Sequence, residues 1–320
     1  MRDLPNNRSG SAGEISRRLE LAMLFEVSAY PKPGNVHRTR DYPGTRFEHF
    51  LASAVASRSS FEIAAEKGSL ISKRQLHPRD AQVGSTIRDA VISTIRSQRG
   101  GNTSLGTLTL LIPLAVAAGM TFAQGHLQLH RLRRNLSRVL KSTTATDTLA
   151  FYEAVLRVKA GGLGRVPQLD LRNPSSKKEI LRKGVGLLDV FRLAVDRDSI
   201  CSEWVTNYLI TFELGYPYFR KELSKTDDIN VSTVNTYLRI LSQKPDTLIS
   251  RKAGMKKAEW VSNRSREALA LGGAKTIAGR MEIERLDNEL GKRGNLLNPG
   301  ATADLSACVV AVATLLGYRP

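Results

Sequence analysis

Apolar residues recur along this chain at intervals of three and four, and no segment carries a convincing run of alternating apolar and polar residues or a hairpin signal. A period near 3.6 gathers apolar side chains onto one face only when the backbone is helical, so the pattern points to an all-α fold. Ile15, Leu19, Leu21, Ala22, Leu24 and Phe25 set the pattern over residues 13–30, where Pro31 and Pro33 stop it. Phe50, Leu51, Ala54, Val55, Phe61, Ile63 and Ala64 continue it over 47–67. Further helices are expected over 87–95, 105–118, 127–140, 148–159, 185–194, 202–214, 232–242, 258–270, 278–290 and 303–316. The breaks between them hold turn formers: Gly161-Gly162, Asn173-Pro174, Gly215-Tyr216-Pro217, Lys244-Pro245, Gly272-Gly273 and Asn298-Pro299-Gly300.

A chain of 320 residues can form one large domain or two of ordinary size. The uniform pattern favours a single helical domain over 14–320, behind a polar tail, 1–13, that lacks the apolar segment of a secretory signal. The stretch 108–120 comes nearest to a membrane span, and Pro113 and Gly119 are expected to interrupt or end it. Cys201 and Cys308 lie far apart without metal-ligand spacing and read as free thiols in a reducing compartment. A soluble cytoplasmic protein is therefore expected. His126 and His130 share a helical face but have no third ligand nearby in sequence.

With 48 Lys+Arg against 30 Asp+Glu the net charge is +18, which suits anionic partners. Four segments between helices combine turn residues with polar groups. In the first, Glu26 precedes Pro31-Lys32-Pro33-Gly34-Asn35, a stiff loop that either holds Lys32 and Asn35 for a phosphate or simply joins two helices. In the second, Gly100-Gly101-Asn102-Thr103-Ser104-Leu105-Gly106 opens an apolar helix, where backbone N–H groups and the helix dipole favour an anion, or where Asn102, Thr103 or Ser104 caps the helix. In the third, Asp246 stands ahead of Arg251 and Lys252, as a ligand of phosphate-bound magnesium beside two phosphate-neutralising cations or as a cap. In the fourth, Asn298-Pro299-Gly300 leads to Asp304, an acid among apolar neighbours that can serve as base or metal ligand, or gain from the dipole. No Walker loop, GxGxxG, HExxH or Ser-His-Asp elbow is present.

Taken in order, EVSAYPKPGNV, GGNTSLGTLTLL, PDTLISRKAG and NPGATADLSA resemble the triphosphoribosyl-dephospho-CoA synthase family over 26–316. The resemblance implies an all-helical transferase that moves the 5-triphosphoribosyl group of ATP to the 2′-hydroxyl of 3′-dephospho-CoA and releases adenine. It also implies magnesium with the ATP, Glu26 and Asp304 as catalytic acids, and Asp246 as a metal ligand. Lys32, Gly34, Asn35, Gly101, Asn102, Thr103, Gly106, Arg251, Lys252 and Gly300 then hold phosphate or nucleotide. The chain departs from the family where Ser104-Leu105 replaces a His-Lys pair and His37 replaces an Asp, so transfer to another acceptor is one alternative. A basic helical nucleic-acid-binding protein is a second, carried by the charge alone.

Overall fold

The computed structural model describes residues 10–158 and 168–320. Fifteen α-helices are found there: α1 Gly10–Ser28, α2 Phe47–Ser72, α3 Val83–Ser97, α4 Leu105–Ala123, α5 Leu129–Lys141, α6 Ala145–Arg157, α7 Pro174–Lys183, α8 Leu187–Arg192, α9 Ser199–Val205, α10 Tyr216–Thr226, α11 Ile229–Gln243, α12 Thr247–Ala253, α13 Met255–Ala270, α14 Ile277–Gly291 and α15 Gly300–Leu315. The only extended pairings among the described residues are two isolated bridges, His37 with Arg40 and Tyr42 with Thr45. The protein is all-α. The Gly161-Gly162 turn, Lys159 and residues 1–9 of the expected tail lie outside the described residues.

Two helices are apolar all round and make the centre. From Thr107 to Thr121 every residue of α4 is buried, and so is α15 from Ala301 to Leu315 except Asp304. A helix without a polar face can sit only inside other helices or inside lipid. By length and composition α4 could cross a membrane, and 83% of its apolar window is covered by the rest of this protein. It packs on α2, α5, α3 and α15, while α1 bridges α2 and α15. Gly68 and Gly119 let α2 and α4 touch backbone to backbone: a Cβ on Gly68 would lie 2.0 Å from the Val116 carbonyl oxygen, and one on Gly119 would lie 2.0 Å from that of Ala65.

The helix over 105–118 does not end at Pro113 or Gly119, as expected from sequence, but runs through both to Ala123. Pro113 has no N–H, so the carbonyl of Thr109 one turn earlier loses its partner. Trp204 from α9 supplies the missing donor, its Nε1–H reaching the Thr109 oxygen at 3.1 Å, and the Tyr208 hydroxyl donates to the neighbouring Leu110 carbonyl at 2.8 Å. Both aromatic side chains are fully buried. The helix survives its proline because donors arrive from a segment some hundred residues away.

Other corrections are local. Helices α7, α10 and α12 occupy stretches expected to be turns or loops. Each starts with a proline or a capping acid or amide: Asn173 before Pro174, Pro217 in the first turn of α10, and Asp246 before Thr247. The single helix expected over 202–214 is broken. After Val205 the chain takes left-handed conformations at Asn207 and Tyr208 and re-forms as a π-helical turn, Ile210–Gly215, whose first N–H groups are held by buried Glu203.

Candidate active site

The four segments singled out in the sequence open onto one cavity of about 550 Å³. Glu26 reaches it from the last turn of α1 and Asn35 from the loop that follows. Asn102, Thr103, Gly106 and Thr107 line it from the start of α4, Arg251 and Lys252 from α12, and Gly300 and Asp304 from the start of α15. Lys32, Gly34, Gly101 and Asp246, also named from sequence, do not line it.

Asp304 is inside α15 and does not cap its own helix, whose N-cap residue is Pro299. Its carboxylate accepts a hydrogen bond from the Thr107 hydroxyl of α4. Gly106 makes that approach possible, because a Cβ there would lie 2.0 Å from Asp304 Oδ2. Burial pushes the Asp304 carboxyl up to about 7; the Thr107 bond opposes the rise and the nearby Glu26 charge adds to it. Position in the first turns of a helix favours the anion by at most ~2 kcal/mol, so desolvation outweighs the dipole.

Glu26 has a different environment. Lys32 is completely buried, donates to the Glu26 carbonyl at 2.9 Å and makes an ion pair with its carboxylate. Lys32 is thus the counter-ion of Glu26 rather than the phosphate contact expected from sequence. Burial raises the Glu26 carboxyl and lowers the Lys32 amine, and their contact opposes both shifts. Gly34 is likewise internal: its N–H donates to Asp287 Oδ1 at 3.0 Å, and at φ 74° a Cβ would lie 2.8 Å from Leu290 Cδ1. Asn35 remains at the cavity, its Nδ2 bonded to Asn298 Oδ1 at 3.0 Å.

In the second segment the N-cap residue of α4 is Ser104, whose side chain makes no capping bond; Asn102 Oδ1 accepts from the Leu105 N–H at 3.2 Å, and Thr103 Oγ1 bonds to Ser53 at 2.7 Å. Gly101 takes φ 73° in the turn ahead of them. In the third segment Arg251 pairs with Asp198 at 2.7 Å, and half-buried Lys252 donates to the Asn295 carbonyl at 3.2 Å, burial lowering its pKa. Asp246 is a cap and not the metal ligand expected from sequence. One oxygen accepts from the Leu248 and Ile249 N–H groups at 2.8 and 3.0 Å, and the other from the N–H and hydroxyl of Thr302, both at 2.8 Å. The carboxylate ties α12 to α15 with its acceptor sites engaged. Among the described residues no three His, Cys, Asp or Glu side chains are placed to hold a metal by themselves, His126 and His130 included.

Sequence reasoning missed the opposite wall. Phe151 and Val155 of α6, Val190 and Phe191 of α8, Leu193, and Ile200 at the start of α9 complete the cavity, with Arg197 and Asp198 at the junction with α12. Phe151 meets Phe191 edge-on at 5.1 Å, and Phe191 meets Trp204 in the same way at 4.9 Å. These residues belong to ordinary amphipathic helices, and nothing in their spacing separates cavity lining from core. Cys201 also lines the cavity, Cys308 is in the core, and both are free thiols.

An all-helical chain whose interhelical segments bring two buried carboxylates, two cations and helix N-termini to one cavity has the features of a nucleotide-dependent transferase. Residues 12–319 match the family model CitG, described as ATP:dephospho-CoA triphosphoribosyl transferase, and the chain belongs to that family. It is 24% identical over 302 residues to the 2-(5″-triphosphoribosyl)-3′-dephosphocoenzyme-A synthase of Klebsiella pneumoniae, covering 93% of this chain and 89% of the relative. A shorter match, 31% over 93 residues, covers 29% of this chain and 31% of a protein from Azotobacter vinelandii named for the same activity. A crystal structure from Archaeoglobus fulgidus, described as a triphosphoribosyl-dephospho-CoA synthase, superposes with a TM-score of 0.61 at 23% identity, covering 84% of this chain and all of that one, and shares the fold.

Proposed function

We propose that this transferase moves the 5-triphosphoribosyl group of ATP onto the 2′-hydroxyl of 3′-dephospho-CoA, releases adenine, and does so with Glu26 and Asp304 as its paired acids. The observation that carries this reading is the convergence of the four family segments on one cavity, with the two carboxyls in unlike environments. The hydroxyl oxygen attacks C1′ of the ATP ribose. The C1′–N9 bond breaks and its electron pair leaves with adenine, building oxocarbenium character on the ribose. Glu26, whose contact with Lys32 opposes the rise that burial imposes on its carboxyl, stabilises that charge in its ionised form and accepts the hydroxyl proton. Asp304, which retains its proton up to about 7, hands one to the departing base. The proton lost by the acceptor is therefore balanced by the one gained by adenine.

Arg251 and Lys252 face the cavity as phosphate-neutralising groups. Magnesium enters this reading with the triphosphate, whose oxygens supply ligands to the ion. The +18 charge draws two polyanionic substrates toward the protein, so it needs no nucleic acid to account for it. Incubation with ATP, magnesium and dephospho-CoA should yield free adenine and a dephospho-CoA heavier by one triphosphoribosyl group. ADP with no adenine would overturn the reading.

A further inference from the structure

Donor and acceptor of this reaction share an adenosine 5′-diphosphate. A site that recognised only phosphates and adenine would admit a second ATP, or ADP, where dephospho-CoA belongs. What separates the acceptor is its pantetheine arm, an extended chain with a gem-dimethyl group, two amides and a terminal thiol. Recognition of that arm calls for a largely apolar surface in the same cavity as the phosphate-binding end.

Such a surface is present, and the four motif segments take no part in it. Phe151, Val155, Val190, Phe191, Leu193 and Ile200 line the side of the cavity built by α6, α8 and α9. The wall is rigid where Phe191 is gripped edge-on between Phe151 and Trp204. Its outer part is open: Leu193 is 45% exposed and Val190 half-buried, although both are apolar. Apolar side chains left accessible on a cavity wall lose little by waiting for a ligand and gain when one covers them. The wall meets the polar end where Asp198, at the start of α9, holds Arg251 of α12 at 2.7 Å. The wall and the two cations of α12 line the same cavity.

Resting on the transferase reading above, we infer that the α6–α8–α9 wall binds the pantetheine arm of the acceptor and is what distinguishes dephospho-CoA from ATP. The probe is 4′-phosphopantetheine, which carries the arm without any adenosine. Calorimetry should detect its binding to the wild-type protein, and in the adenine-release assay it should compete with dephospho-CoA and not with ATP. Two neutral substitutions test the wall. Leu193→Ser changes an exposed position, and Val190→Trp fills the groove; each should weaken phosphopantetheine binding and raise the KM for dephospho-CoA by about tenfold or more, the scale of an altered apolar pocket, while the KM for ATP changes less than about twofold. No binding of the probe, competition with ATP, or unchanged binding in a folded Leu193→Ser variant would overturn the inference. Calorimetry requires no turnover, so a wild-type protein that binds the probe but releases no adenine would refute the transferase reading and leave the wall assignment standing.

Discussion

Replacing Asp304 by Asn keeps the side chain's shape and an oxygen to accept the Thr107 hydroxyl, but removes the titration. In the folded protein the carboxyl titrates near about 7, against 3.8 for an ordinary aspartate. Between those values the folded state keeps a proton that the unfolded chain has released, so wild-type stability falls as pH rises through the window. At 1.36 kcal/mol per unit the full loss is at most about 4 kcal/mol above pH 7 and about 2 at pH 5. It is an upper figure because Asp304 as a whole is only partly buried. The Asn variant escapes this loss. Urea unfolding should therefore find Asp304→Asn more stable than wild type, with the gap widening by at most about 3 kcal/mol between pH 5 and pH 8. The same preparation should release adenine slower by a factor of about 10² or more, since an amide cannot hand over a proton. A gap that does not change with pH would show that burial does not raise this carboxyl, and near wild-type turnover would remove Asp304 from the chemistry.

Lys32→Met strands Glu26 as a buried carboxylate without a counter-ion; at neutral pH turnover should drop about a hundredfold and recover as pH rises and Glu26 ionises, which a pH–rate profile of adenine release reads directly. A variant whose profile keeps the wild-type shape would show that Glu26 needs no help from Lys32. Gly106→Ala drives a methyl into Asp304, so it should fold with a rearranged Thr107–Asp304 contact and lose activity about as severely as Asp304→Asn, as thermal melts and turnover compared side by side would show. Trp204→Phe leaves the Thr109 carbonyl unpaired and should cost about 1–3 kcal/mol; in a Pro113→Ala background, where residue 113 regains its N–H, the same change should cost about 1 kcal/mol less by a double-mutant cycle. Equal costs in the two backgrounds would mean that Trp204 acts through packing alone.

Much of this architecture can be read from residue spacing, because helices and their stops are largely local. The apolar period locates α1, α2, α11 and α13–α15 to within a few residues, and Asp246 carries its capping role on its face. The continuity of α4 cannot be read locally, since the donors that rescue Pro113 come from Trp204 and Tyr208. Lys32 is a similar case. A lysine between prolines looks solvated, and only the fold reveals that it turns back onto Glu26 with no access to water. Thr107, Asp198 and the α6–α8–α9 wall escape notice because a threonine, an acid and a few apolar residues are what any helical chain contains. They acquire a role only from the cavity they share.

The site sits where it does because the two most apolar helices begin there. Helices α4 and α15 are buried along most of their length, and the first turns of both line the cavity. The positive ends of both helix dipoles therefore lie at the cavity and favour an anion there. The same burial keeps Asp304 in a place where its charge is unwelcome, with Gly106 and Thr107 pressed against it. A more flexible scaffold would let that carboxyl swing out to water and relax to an ordinary aspartate. On the proposed reaction, the raised carboxyl, the close approach at Gly106 and the buried ion pair behind Glu26 serve one requirement: a proton donor and a proton acceptor side by side near a substrate that already carries several negative charges.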